Sequence, residues 1–326
     1  MPRMTRCHPL NPRPKEPVYK NILPMALHFT KFIENITLTE SQWNDAKTKY
    51  EGVCACLDKH FYDSAYNESH KFLFGSYKLK TCVRPIVPEQ DVDVLFKIDY
   101  STYKKYQDNP GGLLQEVRKA LKEKYTTTDT IKAWGKVVLI QFSDGKHNVE
   151  VLPAFELING QFLIPNTEDG GSWNTFDPRT PIKSFQESNQ SSNNLTQDLT
   201  KMIKAWKRNT STLEYKSYKI AEDVKNFVNY FYPNGTDVTK YLSVIKDFYT
   251  YLYNRVSSTD TRYSHISTAK TRVDKAYQYE EDGKHKESSE ELIKVFGEVF
   301  PKEEKNDTNS RENNSFTTAP SPWRVY

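Results

Sequence analysis

Cysteine, long apolar runs and net charge are all scarce in this 326-residue sequence, and each scarcity excludes a class of protein. The four cysteines, Cys7, Cys54, Cys56 and Cys82, lack the paired framework that staples small secreted domains, so they read as reduced thiols. Cys56 and His60 stand four apart on a helical pattern. A metal there needs two further ligands at zinc-like spacing, which the sequence does not supply. No apolar run approaches the ~20 residues of a membrane span, and there is no signal-peptide core. The expectation is a soluble, cytoplasmic protein with no membrane partner. Lys plus Arg number 46 against 42 Asp plus Glu, a net charge of +4. That balance does not suggest a general nucleic-acid binder, although a local basic groove is compatible with it. No long internal repeat is visible.

The stretch around which the rest is organised is Phe74–Ile98, FGSYKLKTCVRPIVPEQDVDVLFKI. Val92, Val94, Leu95 and Phe96 are strand formers bounded by the turn signals of residues 85–90. On a strand, residues i and i+2 share a face, so Asp91 and Asp93 point the same way, roughly 7 Å apart along the chain. Two carboxylates that close repel unless a cation lies between them, and magnesium, a hard ion that shares oxygen ligands with phosphates, suits the place. A solvated strand edge is the bland alternative. Upstream, Gly75-Ser76 offers what a triphosphate needs: backbone that allows close approach, free N–H donors and a hydroxyl. Further on, Lys136–Phe142 and Asn148–Phe155 form two strands joined across a hairpin turn at 143–146. Val149 and Val151 face one side of the second strand and Glu150 the other. An acid between core valines is costly unless it is exposed, paired or bound to a metal.

These residues carry a resemblance. Gly75-Ser76-Tyr77, Thr81, Arg84-Pro85 and then Asp91 and Asp93 resemble the signature of the DNA polymerase β-like nucleotidyltransferase superfamily. More closely, they resemble the cGAS/DncV-like (CD-NTase) branch of bacterial cyclic-oligonucleotide synthases. The resemblance covers roughly residues 35–301, nearly the whole folded chain, and implies an α+β fold. That fold is a nucleotidyltransferase core of mixed β-sheet with flanking helices, followed by a C-terminal helical lobe. It implies Asp91, Asp93 and Glu150 as catalytic residues and ligands of two Mg2+ ions, with Mn2+ as a substitute. Glu150 departs from the family's usual aspartate. It implies that Gly75, Ser76, Lys204 and Ser217 meet the triphosphate of an NTP substrate and that Tyr218 stacks on a base. Asn166 and Trp173 stand in a stretch comparable to the one that shapes the family's nucleotide pocket; a tryptophan packed as a plug is the alternative. Without the resemblance, Lys204 reads as a surface lysine and Tyr218 as core.

In chain order, residues 1–25 read as a basic, proline-rich arm, and 26–190 as the core with its long brace helix. That helix starts at a capping box, Thr39-x-x-Gln42, and carries the stripe Trp43, Ala46, Tyr50, Val53, Leu57, Phe61. A helix is expected from Pro110 to about 126, and loop with short turns over 156–195. The helical lobe spans 191–301, with helices over 211–230, 238–255 and 264–300. Residues 302–326 read as a disordered tail. Its closing Pro322-Trp323-Arg324-Val325-Tyr326 suggests contact with another protein, against an accidental end of chain, and the resemblance implies that such a partner is operon-encoded. The function implied is template-free synthesis of a cyclic di- or oligonucleotide second messenger in anti-phage signalling. Nucleotidyl transfer to an RNA end or a protein is the runner-up, and a binding pseudoenzyme the third class. Nothing resembles an inserted zinc ribbon, so direct activation by double-stranded DNA is not expected.

Overall fold

The computed structural model describes residues 24–302 apart from 88, 89, 129 and 145. The proline-rich arm and the C-terminal tail lie outside the described residues except at their inner edges. Among the described residues no helix is long and apolar enough to cross a membrane.

Helix α1 (Pro24–Ile36) is followed by α2 (Glu40–Tyr62), the expected brace. Its capping box forms as read: the Thr39 hydroxyl accepts from Gln42 N, and the Gln42 side chain accepts from Thr39 N. Each bond satisfies a donor that the first helical turn leaves open. Strand β1 (Lys71–Leu73) leads into a short helix, α3 (Gly75–Lys78), so the Gly-Ser pair sits on a helical turn after the strand. Then come β2 (Asp91–Ile98), α4 (Tyr103–Tyr106), α5 (Pro110–Lys124), β3 (Thr130–Trp134), β4 (Val137–Gln141), β5 (Asn148–Glu156), β6 (Phe162–Asn166) and β7 (Ser172–Phe176). The strands form one sheet in the order β1-β2-β5-β4-β3, with β6 on β5 and β7 beyond it. Among the described residues, only the central β2–β5 pair is parallel. Alternation along β2 and β5 sends Val92, Val94, Phe96, Val149 and Val151 into the core under α2 and α5. The opposite face carries a smaller cluster around Leu95, Leu152, Ala154, Phe162 and Ile164.

The remaining chain is helical: α6 (Arg179–Ser191), α7 (Leu195–Asn209), α8 (Ser217–Phe231), α9 (Tyr241–Tyr253), α10 (Tyr263–Glu281) and α11 (His285–Phe296). Helix α7 runs through the middle. Leu195, Leu199, Met202, Ile203 and Trp206 enter the lobe core, while Thr196, Thr200, Lys201 and Lys204 are buried on its other sides.

Three sequence expectations change. Helix α1, counted with the nucleotidyltransferase core, packs instead into the helical lobe through Met25, Phe29, Phe32 and Ile36. Asn35 Nδ2 there donates to Val299 O at 2.9 Å. The 156–195 stretch is not loop: it holds β6, β7 and α6, disguised by Pro165, by Gly170-Gly171 and by a helix with few buried apolar side chains. The helix expected over 264–300 breaks at Gly283, where φ is +71.

Candidate active site

The parallel register places Asp93 directly opposite Glu150 and Asp91 opposite Asn148. All three carboxylates therefore leave one face of the sheet at the start of its two central strands, continuous with the apolar Leu95–Leu152 pair further along. Burial, reinforced by the charges of Glu150 and Asp91, pushes the Asp93 carboxyl up to about 7. Burial and the charge of Asp91 likewise push Glu150 up to about 7. Among the described residues no hydrogen bond or ion pair reaches the Asp93 or Glu150 side chain.

Gly75 lies against this acidic face. Its φ is +61, and a β-carbon there would stand 2.0 Å from Asp93 Oδ2. Any larger residue must both adopt a left-handed backbone and displace the Asp93 carboxylate. The Ser76 hydroxyl lies 3.1 Å from the Cys82 sulfur, and Ser76 O accepts from Thr81 N at 2.9 Å. The turn is thus tied back onto the segment that follows it. Burial raises the Cys82 thiol to about 11, so it stays protonated and inert at neutral pH.

Lys204 reaches this turn from α7 across the junction of the two lobes. Its Nζ donates to Thr81 O and Thr81 Oγ1, both at 3.1 Å. It is not the surface lysine its sequence context suggests: only 8% of it is exposed, and burial lowers its pKa to about 8. Two further cations on α7 escaped the sequence reading. Lys201 Nζ donates to Thr37 Oγ1 at 3.1 Å, and Arg208 donates to Pro85 O and to the Gln90 side chain. The signal was available, since positions 201, 204 and 208 share one helical stripe.

Ser217 and Tyr218 open α8, which touches α3. Tyr218 is 71% exposed, the reverse of a core position, and its ring face is open to a planar partner. Asn166 is held within its own hairpin: Nδ2 donates to Ser172 Oγ at 3.4 Å and Oδ1 accepts from Glu168 N at 3.3 Å. Trp173 is the plug. Its Nε1 donates to Gln107 O at 2.9 Å and its ring packs edge-on to Tyr103. Cys56 Sγ donates to Ala120 O, and His60 meets Glu116, so each has another partner.

Do the residues fit a divalent cation? Among the described residues no three carboxylate, thiol or imidazole groups converge as tightly as a metal's ligands do. The donor set nevertheless suits one. It offers hard oxygen ligands on adjacent strands, whose ionised forms are disfavoured by burial and by one another. The cradle at Gly75 leaves Asp93 accessible where a side chain would cover it.

Comparison with known proteins agrees with this geometry. Residues 24–189 match the family model described as Second Messenger Oligonucleotide or Dinucleotide Synthetase domain. A probable cyclic nucleotide synthase of Bacillus cereus is 26% identical over 281 residues, covering 71% of this chain and 82% of the relative. A cyclic AMP-AMP-AMP synthase of an Acinetobacter strain is 27% identical over 238 residues, covering 71% of this chain and 66% of the relative. Among solved structures, Vibrio cholerae DncV cyclic AMP-GMP synthase, in complex with a linear pppApG intermediate, superposes with a TM-score of 0.65. The identity is 13%, over 85% of this chain and 96% of that one. The mixed sheet, the flanking helices and the helical lobe are therefore those of the nucleotidyltransferase fold, and the chain belongs to the Second Messenger Oligonucleotide or Dinucleotide Synthetase family of cGAS/DncV-like nucleotidyltransferases.

Proposed function

We propose that the protein condenses nucleoside triphosphates, without a template, into a cyclic di- or oligonucleotide that serves as a second messenger in anti-phage defence. The observation that carries the reading is the pairing of Asp93 with Glu150 across the parallel strands, with Asp91 on the same face and Gly75 against it. The names of the two curated relatives and the nucleotide intermediate bound by the Vibrio cholerae enzyme support it.

Asp91, Asp93 and Glu150 would hold the divalent ions, Mg2+ or Mn2+. Bound there, such ions supply positive charge at the transferring phosphoryl group and lower the pKa of the attacking hydroxyl. The chain's own groups orient the reactants. Backbone N–H groups and the hydroxyl of Gly75-Ser76 receive the triphosphate. Lys204, mostly protonated at neutral pH, donates toward phosphate, as does the Ser217 hydroxyl. Tyr218 stacks on a base. One carboxylate takes the proton of the acceptor ribose hydroxyl, which attacks the α-phosphorus as the α–β phosphoanhydride bond breaks and pyrophosphate leaves, an alignment secured by holding both nucleotides in place. A second round on the linear intermediate closes the ring.

The test is incubation of pure protein with radiolabelled NTPs and Mg2+ or Mn2+. A small, phosphatase-resistant product whose mass equals that of a cyclic oligonucleotide is expected, and nuclease sensitivity reports the linkage. A lengthening linear polymer, or label retained on protein, replaces the proposal with the runner-up activity.

A further inference from the structure

A buried cluster behind the carboxylates has no part in the reaction as described. His147, the residue immediately before β5, is fully buried, and its Nδ1 lies 2.8 Å from Asp45 Oδ2 on the brace helix. A carboxylate oxygen only accepts, so Nδ1 carries the proton and Nε2 is left as an acceptor. Burial holds the ring's pKa below its ordinary value, against the pull of Asp45, which keeps the imidazole neutral. Asp45 is itself fixed from outside by Lys49 at 3.1 Å, and Lys49 also bonds Asp144 at 2.8 Å.

The other side of the ring faces the phosphate turn. His147 packs edge-on to Tyr77, with 5.5 Å between ring centroids, and Tyr77 belongs to α3 with Gly75 and Ser76. Tyr77 is 5% exposed and Gln90, the residue before Asp91, is 9% exposed. Three polar atoms of this cluster, His147 Nε2, Tyr77 Oη and Gln90 Nε2, are buried without a partner at full hydrogen-bond geometry among the described residues, with the Gln90 amide close enough to the Tyr77 hydroxyl to interact with it. One is an acceptor and two can donate, a complementary set that one internal water or a small closure would satisfy. Buried polar atoms are rarely left unpaired, and where they cluster a role beyond packing is worth seeking.

We propose that His147 is a positioning residue. It ties the brace helix, the start of the Glu150 strand and the Gly75-Ser76 turn into one rigid unit, so that the carboxylates are pre-set for the divalent ion. The connectivity supports this: Gln90 and His147 directly precede the register partners Asp91 and Asn148. A group that fixes both strand starts against α3 fixes the spacing of Asp91, Asp93 and Glu150 relative to Gly75. The proposal rests on the assignment of these carboxylates as metal ligands.

The experiment measures Mn2+ affinity by electron paramagnetic resonance, with no nucleotide present, on the full chain. His147→Ala is compared with Val117→Ala, a truncation of a fully buried apolar side chain on α5. Expected results are an affinity at least five-fold weaker in His147→Ala, and within two-fold of wild type in both Val117→Ala and His147→Asn, whose amide can still donate to Asp45. In turnover, kcat at fixed low Mn2+ should fall while KM for NTP holds, and saturating Mn2+ should restore much of the loss. Asp45→Ala, which removes the acceptor for His147 Nδ1–H, should weaken Mn2+ binding similarly, and adding it to His147→Ala should cost nothing more. If His147→Ala does not fold, Asp45→Ala and His147→Asn decide the question. Mn2+ affinity equal to that of Val117→Ala overturns the positioning role. Asp93→Asn separates the two layers: if it leaves Mn2+ binding unchanged, the carboxylate assignment itself fails. If it abolishes binding while His147→Ala does nothing, only the role of His147 is lost.

Discussion

Removing the charge of Asp93 should make the metal-free protein more stable while ending catalysis. A carboxyl raised from 3.8 to about 7 by folding is one that the folded state prefers protonated. The native protein then binds a proton that the unfolded chain releases, so stability falls as pH rises from about 4 toward 7 and levels off above it. Three units at about 1.4 kcal/mol each set an upper bound of about 4 kcal/mol. The site is partly open to water, and an asparagine amide buried there lacks partners of its own. A gain of about 1–3 kcal/mol is therefore expected for Asp93→Asn at pH 8. Urea denaturation in EDTA at pH 8 and at pH 4.5 is the measurement. The variant should be the more stable at pH 8, and its advantage should largely vanish at pH 4.5, where the wild-type carboxyl is already neutral in the fold. Added Mg2+ should then stabilise wild type alone, because a ligand that binds the native state raises its stability by mass action. A variant equally stable or less stable at pH 8 without metal refutes the claim that repulsion and burial strain the acidic face.

Three further outcomes follow from the same geometry. Glu150→Gln should lower turnover by at least 100-fold, whereas Glu150→Asp should keep measurable activity; a loss of only a few-fold for Gln, read in the radiolabel assay, makes Glu150 a bystander. Gly75→Ala should cost about 1–2 kcal/mol of stability for its left-handed backbone, and far more in turnover because its methyl displaces Asp93, so near-normal activity in a folded variant contradicts the contact. Tyr218→Phe should be almost neutral while Tyr218→Ala weakens kcat/KM by about 1–3 kcal/mol with no change in melting temperature, and equal behaviour of the two would show that stacking is not the role.

What the sequence made legible was what strand alternation and local signals control. Asp91, Asp93 and Glu150 share a face because the side-chain period on a strand is two, and the brace helix begins where its capping box says. Lys204 and Tyr218 were inverted for one reason. Amphipathic reasoning allots each helix one buried face, but α7 is buried on several, against its own lobe and against the Thr81 segment. Its polar residues therefore looked solvated when they were interfacial. Tyr218 looked like core, yet Ile220, Val224 and Phe227 fill that role on the opposite side of α8. The His147–Asp45 contact was invisible because it joins residues 102 apart, with no periodicity to announce it.

The placement of α1 has a consequence for how the molecule is made. The helical lobe is discontinuous: its first helix is synthesised before the whole sheet, and its last contacts, such as Asn35 with Val299, span 264 residues. On the ribosome, Phe29, Phe32 and Ile36 emerge with no mates for their apolar stripe until α7, α9 and α11 have followed. The sheet lobe, whose contacts lie within its own segment, can condense first, and closure of the helical lobe then becomes the late, topologically costly step. The same arrangement means that two covalent crossings, near 37 and near 178, join the lobes. Expressing residues 179–301 alone would thus leave a hole where α1 belongs, and a fusion that supplies 24–36 on a short linker should restore solubility.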